Sequence, residues 1–556
     1  MKKTRLYISI FLIIAFSLIS FSCTSNKPLV KASSSTEYTS EFSVKQGKII
    51  GIYSDDGQVE IFAGIPYAKP PVDNLRWKEP QDCTPWEETL IADTFPPMPM
   101  QHRSSKFWNW MWNSFAMHSK GDKTDFAPMS EDCLYLNIWK PAGEQKDLPV
   151  LVYIHGGSLT GGCSFYSAFD GENMARDGKI IRVNIEYRTG IFGFIAMDEL
   201  IEESPNQTTG NYGLLDQIKA LEWIKENIAS FGGDADNITI AGESAGSSCV
   251  SALCASPLAK GLFKNAIGTS SSVVRNIPPH TFYTLDELRQ KTKRAMVDLE
   301  VATLEEMRSL SAEKLVTQTR HFNGLTVDGY VLPEYPWDIY KNGKNNETAL
   351  LNGFNEHEGY AFTFVTKINK KTYPNLMENS FPGYGEKIVE MYPAPDTKTA
   401  KLQYDRIFTA NAFSFSHYTW SNAAIDNGVK TYEFYFTKNN KGIGTNHSGE
   451  LIYSYGNVPR APNKDAKNYD ESDYILEKQM ESYWINFAKT GNPNGLDYEG
   501  NPLPEWPLLN NDRKTLLELG SEIKPVEEPY LELYKILGAY ADTLNRGDKK
   551  NWDPRE

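Results

Sequence analysis

The sequence predicts an α/β fold with a large mixed, mostly parallel central sheet and helices on both faces. Three observations carry this expectation. Strand-like runs alternate with helical ones, as in 180–185, then 214–228, then 238–241, and such alternation builds parallel sheets covered by helices. The run Pro149-Val150-Leu151-Val152-Tyr153-Ile154 is almost wholly apolar, as a strand buried on both faces must be. No internal repeat and no long Pro- or Ser-rich linker divides the body of the chain. Residues 41–545 are therefore expected to form one domain, although 556 residues could hold about two or three of average size.

The N-terminus reads as a leader. Lys2, Lys3 and Arg5 precede an apolar stretch over 6–21 that is too short and wrongly flanked to make a stable membrane-spanning helix. It ends Ser20-Phe21-Ser22-Cys23. A small residue before a cysteine at the end of the apolar region is similar to a bacterial lipoprotein cleavage site, with Ser20 where leucine is usual. The expectation is an exported protein, periplasmic or at the cell surface, with residues 1–22 removed. Its contact with a membrane would be through a lipid on Cys23; ordinary signal-peptide cleavage is the alternative. Residues 23–40, rich in Ser, Thr and Lys, read as a flexible tether, and 546–556 as a polar tail. The dense run Phe107-Trp108-Asn109-Trp110-Met111-Trp112 is expected to wall a pocket, form a lid or pack beneath a loop.

Strand 149–154 runs into His155-Gly156-Gly157-Ser158 and then Gly161-Gly162. A glycine-rich loop after a central strand lets backbone N–H groups approach an oxyanion without side-chain hindrance. A phosphate cradle is disfavoured, since no Gly-Lys-Ser/Thr follows and no Gly-x-Gly-x-x-Gly opens a helix. Leu214, Leu215, Ile218, Leu221, Ile224 and Ile228 recur at helical spacing and should pack on the sheet. Next comes the β-branched run Asn237-Ile238-Thr239-Ile240-Ala241, then Gly242-Glu243-Ser244-Ala245-Gly246, then a small-residue run over 247–254. Strand, Gly-x-Ser-x-Gly, helix is the context of a nucleophile elbow. Side chains at Gly242 or Gly246 would crowd the pinched strand and helix, and the helix start offers N–H groups to developing negative charge.

A serine needs a base and an orienting acid, and in this architecture the chain order is Ser, Asp/Glu, His. Of eight histidines, His357, His417 and His447 follow Ser244 at a useful distance. His417 lies in an aromatic-rich helical pattern, 412–420, and reads as a core residue. His447 lies in a glycine-framed loop after the strand-like 431–436, where a mobile base belongs. The acid should follow strand 348–353, where Glu356-His357-Glu358-Gly359 stands. The spacing leaves Glu356 and Glu358 as equal candidates, with His357 a less favoured base.

The net charge of −14 comes without a basic cluster, so nucleic acid is not an expected partner. With Cys23 set aside, five cysteines remain (83, 133, 163, 249 and 254), so at least one stays unpaired. No Cys-x-x-Cys, His-x-x-x-His or His-Glu-x-x-His occurs, so neither metal nor other cofactor is expected.

Taken together the chain resembles the type-B carboxylesterases, which include the cholinesterases and bacterial para-nitrobenzyl esterases, over about residues 43–535. The resemblance rests on Phe62-Ala63-Gly64-Ile65-Pro66-Tyr67-Ala68, Ser130-Glu131-Asp132-Cys133-Leu134-Tyr135-Leu136-Asn137, the His155 loop and Asn184-Ile185-Glu186-Tyr187-Arg188. It continues through Gly210-Asn211-Tyr212-Gly213-Leu214-Leu215-Asp216-Gln217, Phe231-Gly232-Gly233-Asp234, the elbow, the two loops after it, and Trp484-Ile485-Asn486-Phe487-Ala488-Lys489-Thr490-Gly491-Asn492-Pro493. The resemblance implies an α/β-hydrolase fold with Ser244 as nucleophile, Glu358 as acid, because the family acid precedes the glycine, and His447 as base. It implies oxyanion donors at the amides of Gly157, Ser158 and Ala245. The implied reaction is hydrolysis of small carboxylic esters through an acyl-enzyme; acyl transfer or amide cleavage on the same triad, or a non-catalytic binding protein, are the alternatives. Three departures stand out. Ser158 replaces the third glycine of the family's His-Gly-Gly-Gly, which keeps the backbone donor but narrows the acyl pocket beside it. Ser448 replaces the glycine after the histidine. No cysteine stands near 98–101, where the family partner of Cys133 falls, which leaves Cys83 as the only nearby candidate.

Overall fold

The protein is described by a computed structural model covering residues 29–102, 127–275, 282–319, 322–364, 366–442, 444–511 and 515–544. The expected leader, Cys23, the expected tail 546–556 and the aromatic run 107–112 lie outside the described residues.

Among the described residues the main sheet has 11 strands. In chain order they are β1 (Ile52–Tyr53), β2 (Val59–Pro66), β3 (Tyr135–Pro141), β4 (Leu148–Ile154), β5 (Ile181–Ile185), β6 (Gly233–Glu243), β7 (Asn265–Thr269), β8 (Ala349–Asn355), β9 (Lys430–Phe436), β10 (Thr515–Leu519) and β11 (Ile523–Glu527). Their spatial order is β11-β10-β9-β8-β7-β6-β4-β5-β3-β2-β1. The centre, β5 through β10, is parallel throughout. The flanks are antiparallel. The expected mixed, mostly parallel sheet is thus present.

Strand alternation splits the core in two. Val150, Val152 and Ile154 of β4 face one cluster, with Leu214, Leu221 and Ile224 of α1 (Tyr212–Asn227) and Val250 and Leu253 of α2 (Ala245–Ala255). Leu151 and Tyr153 face the other, with Tyr483, Trp484 and Phe487 of α5 (Glu471–Thr490). A strand with side chains buried on both sides has no polar face, which is why β4 is so uniformly apolar. All six residues of the predicted α1 stripe are buried in the first cluster. Two further helices, α3 (Thr397–Thr409) and α4 (Phe415–Asp426), are joined by a π-helical turn at Ala410–Ser414. The last is α6 (Leu531–Leu544).

One expectation needs correction, and one question the sequence left open is answered. Residues 31–39 do not behave as a loose tether. Ala32 N donates to Asp93 O at 2.9 Å, Thr39 N donates to Gly51 O at 3.0 Å, and Tyr38 bridges to Ile52 in the edge strand β1. An edge strand carries unpaired backbone groups that a passing segment can satisfy, and Ser/Thr/Lys composition does not report that edge. The candidate pair Cys83–Cys133 is not formed either: both are free thiols, Cys133 buried and Cys83 partly exposed.

One buried ion pair ties the sheet to α1. Arg188, just beyond β5, grips Asp216 of α1 with Nε at 2.8 Å and Nη2 at 2.7 Å, and both side chains are nearly inaccessible to solvent. Removing one partner strands a buried charge. Asp216→Ala is therefore expected to destabilise the fold by about 3–5 kcal/mol, measured by denaturant unfolding; a loss below about 1 kcal/mol would show the pair to be dispensable.

Candidate active site

Strand β6 ends at Glu243, and α2 begins at Ala245. Between them Ser244 sits at φ +55° and ψ −126°, a backbone state costing about 1–3 kcal/mol for a residue with a β-carbon. The flanking glycines are demanded by contact. A β-carbon on Gly242 would lie 2.5 Å from the Gly246 carbonyl carbon, and one on Gly246 would lie 2.1 Å from Ile154 O in β4. The Ser244 amide donates to Thr269 O of β7 at 2.9 Å. The residue is left partly exposed at the carboxyl edge of the sheet.

The loops after β8 and β9 are sewn together beside it. Glu356 N donates to Phe436 O, His357 N to Thr445 O, and Asn355 Nδ2 to Asn446 O at 2.9–3.0 Å. This brings His447 between the other two groups. Its Nδ1 is 2.6 Å from Glu358 Oε2, and its Nε2 is 2.9 Å from Ser244 Oγ. The second oxygen of Glu358 accepts from Asn355 N at 2.8 Å and from Ser270 Oγ at 2.6 Å, so the carboxylate is fixed with one oxygen aimed at the imidazole. Geometry separates the two acids that the spacing left equal. Glu356 instead approaches His357, with Oε2 3.8 Å from its Nε2, and the Nδ1 of His357 is 2.6 Å from Asp405 Oδ2 of α3. His357 is thus engaged away from Ser244, and His417 is buried in α4 against Trp420.

Some neighbours of the site were not legible beforehand. Ser270 follows β7 at φ +57°, and no local pattern marks it. Glu243 lies inside the elbow motif, with Oε1 3.3 Å from His447 Nε2. Glu450, three residues after His447 in the same loop, accepts from Asn355 Nδ2 at 2.6 Å. The rings of Phe362 and Phe413 pack on His447 at centroid distances of 5.1 and 4.9 Å; Phe413 comes from the π-helical turn. Burial alone would lower the basicity of His447, but Glu243, Glu358 and Glu450 surround it and push its pKa up to about 9. Burial likewise raises Glu243 and Glu450 above the usual carboxyl range.

The loop after β4 lies against the elbow: a β-carbon on Gly156 would be 3.2 Å from Ser244 Cβ. Gly157 has φ +113°, and a β-carbon there would strike Gly161 O at 2.3 Å. Ser158 has φ +56°, so it occupies backbone space natural to glycine. Tyr187 donates to His155 O at 2.8 Å, and Gln101 brackets Gly162 from both sides. Among the described residues, no protein acceptor takes the amides of Gly157, Ser158 or Ala245. Among the same residues no group of three or more His, Cys, Asp or Glu side chains is arranged to hold a metal ion.

The contact at Gly246 makes a direct test. Gly246→Ala is expected to destabilise the protein by about 3 kcal/mol or more and to abolish esterase activity. Gly538→Ala in α6, where a β-carbon would meet only Phe415 at 3.7 Å, should be neutral or mildly stabilising. Equal melting temperatures for the two variants would refute the steric account.

Comparison with known proteins agrees with this architecture. The family model described as "Carboxylesterase family" matches residues 39–534. The chain is 33% identical over 520 residues to carboxylesterase 1C of Mus musculus, covering 86% of this chain and 88% of that one. It is 30% identical over 504 residues to para-nitrobenzyl esterase of Bacillus subtilis, covering 87% and 96%. The crystal structure of a carboxylesterase from Geobacillus stearothermophilus superposes with a TM-score of 0.76 at 29% identity, over 90% of this chain and all of that one. This chain therefore belongs to the carboxylesterase family: it has an α/β-hydrolase fold and hydrolyses carboxylic esters.

Proposed function

We propose that the ester is cleaved by Ser244, His447 and Glu358 through a covalent acyl-enzyme. The observation that carries this reading is the continuous hydrogen-bonded line from Ser244 Oγ through the imidazole to Glu358. His447 Nε2 removes the hydroxyl proton as Oγ bonds to the ester carbonyl carbon. The carbonyl π electrons move to oxygen, and that oxyanion is met by the amides of Gly157, Ser158 and Ala245, each donor being worth on the order of 10²–10³ in rate. Glu358 holds the ring and stabilises the imidazolium. The imidazolium then protonates the departing alkoxide, leaving the acyl group on Ser244. Water, deprotonated by the same nitrogen, attacks the acyl carbon and releases the acid. The Phe362 and Phe413 rings give His447 an apolar flank, which supports apolar rather than anionic ester groups at this point. The chain's negative charge adds to that preference.

Ser244→Ala is expected to lower kcat/KM for a chromogenic ester by at least about 10⁴-fold with an unchanged melting temperature. Near-normal turnover would remove Ser244 from the mechanism. The pH dependence has a definite sign. The base must be neutral, and surrounding carboxylates raise His447 from its ordinary value to about 9, so kcat/KM should fall as pH drops through that value. The limb should lie well above the roughly 6.5 of a free imidazole, and it belongs to the imidazole and its carboxyl neighbours as a set. A limb at or below the free value would contradict the electrostatic picture.

A further inference from the structure

We propose that Ser448 is a positioning residue for catalysis: its hydroxyl holds Glu243 as an oriented anion against His447 Nε2, where that charge stabilises the imidazolium. This rests on the reading of His447 as general base. Ser448 is buried and stands at φ +66°, a conformation that favours glycine. Glycine would meet the backbone requirement without strain, so the side chain needs its own explanation. Its Oγ donates to Glu243 Oε1 at 2.6 Å. That same oxygen lies 3.3 Å from His447 Nε2, the nitrogen that also faces Ser244 Oγ at 2.9 Å.

The other oxygen of Glu243 has no hydrogen-bond partner among the described residues. It is pressed against the loop after β4, where a β-carbon on Gly156 would come within 3.2 Å of it. Among the described residues Ser448 is thus the hydroxyl that, beside the His447 ring, favours this carboxylate in its charged form. When Nε2 takes the proton of Ser244, the new N–H finds Glu243 beside it as a second acceptor. The ionisable groups that face the imidazole are Glu243 from β6, Glu358 from the loop after β8 and Glu450 from its own loop; the rest of its surroundings include the rings of Phe362 and Phe413. Those that face Glu243 are His447, Glu358 and Glu450, with the buried Tyr153 and Tyr455 hydroxyls also within its field. Without the Ser448 hydroxyl, buried Glu243 retains its proton over more of the neutral range. The negative charge beside Nε2 falls, and the imidazole becomes less basic.

The test uses Ser448→Ala and Ser448→Gly in the full-length protein with a para-nitrophenyl ester. Both remove the hydroxyl, and only glycine also relieves the backbone, so a folding defect confined to the alanine variant leaves the glycine variant to decide. The expected result for both is a kcat lower by roughly 3- to 10-fold with little change in KM. The acid limb should move to lower pH by about half a unit or more. Glu243→Gln should reproduce the shift, and Ser448→Gly added to it should move the limb no further. A folded Ser448→Gly whose limb stays at the wild-type position overturns the proposal. So does a limb that moves equally with Gln at 243. Titration of the ¹³C-labelled His447 ring by NMR, assigned with His447→Gln, reads the same link without turnover. If Ser244→Ala were to stay active while Ser448→Gly still lowered the ring's pKa, the general-base reading would fail and the Ser448–Glu243 contact would stand.

Discussion

The parallel hydrogen bonding at the centre of the sheet is the constraint on which the rest of the molecule depends. In register, Ile154 pairs with Gly242, Gly242 with Gly268, Thr269 with Gly353, and Asn355 with Phe436. Parallel strands end on the same edge, so the segments that leave β4, β6, β7, β8 and β9 emerge side by side. Open α/β sheets bind ligands at that edge for this reason. A slip of one residue in any of these pairs would turn each apolar side chain of that strand to the opposite core and carry its loop away from its neighbours.

On that frame the protein stores strain where the proposed chemistry lies. Ser244, Ser270 and Ser448 all stand in left-handed backbone, at φ +55°, +57° and +66°. Each directs its hydroxyl to a different member of one hydrogen-bonded network: His447, Glu358 and Glu243. Non-glycine residues in such conformations cost about 1–3 kcal/mol apiece and persist only where the surroundings over-determine them. The over-determination is visible. Ser244 is clamped between strand ends, Ser270 N is bound to Gly353 O at 2.9 Å, and the loop of Ser448 is stitched to the loop after β8 through Asn355 and His357. The large two-sided core supplies the stability that tolerates this strain.

Electrostatics follow the same pattern. Three carboxyls, Glu243, Glu358 and Glu450, share one buried environment with a single imidazole. Buried like charges disfavour one another, so the arrangement favours whatever positive charge enters it. The imidazolium that the proposed mechanism forms on His447 is such a charge. The cost of burying the acids is met mainly by hydrogen bonds from Asn355, Ser270 and Ser448.

The sequence by itself determined the elements and the chain order of the groups proposed to react. Apolar periodicity named β4 and α1, and Gly-x-Ser-x-Gly between a strand and a helix named the elbow, because side-chain spacing and steric crowding act within a few residues. The observed β6 is longer at both ends than the run 237–241 suggested, since pairing with β4 and β7 extends a strand beyond its own propensity. Residue spacing left Glu356 and Glu358 equal and the family resemblance favoured Glu358; the tertiary structure sets Glu358 on His447, and it alone decided that Ser270 braces that acid and that Ser448 holds Glu243. It also decided that residues 31–39 dock on an edge strand and that Cys83 and Cys133 stay apart. Those contacts join residues 88 to 205 positions apart in the chain for the groups around His447. No local pattern encodes such a meeting, because it is set by how whole strands register and where their loops turn back.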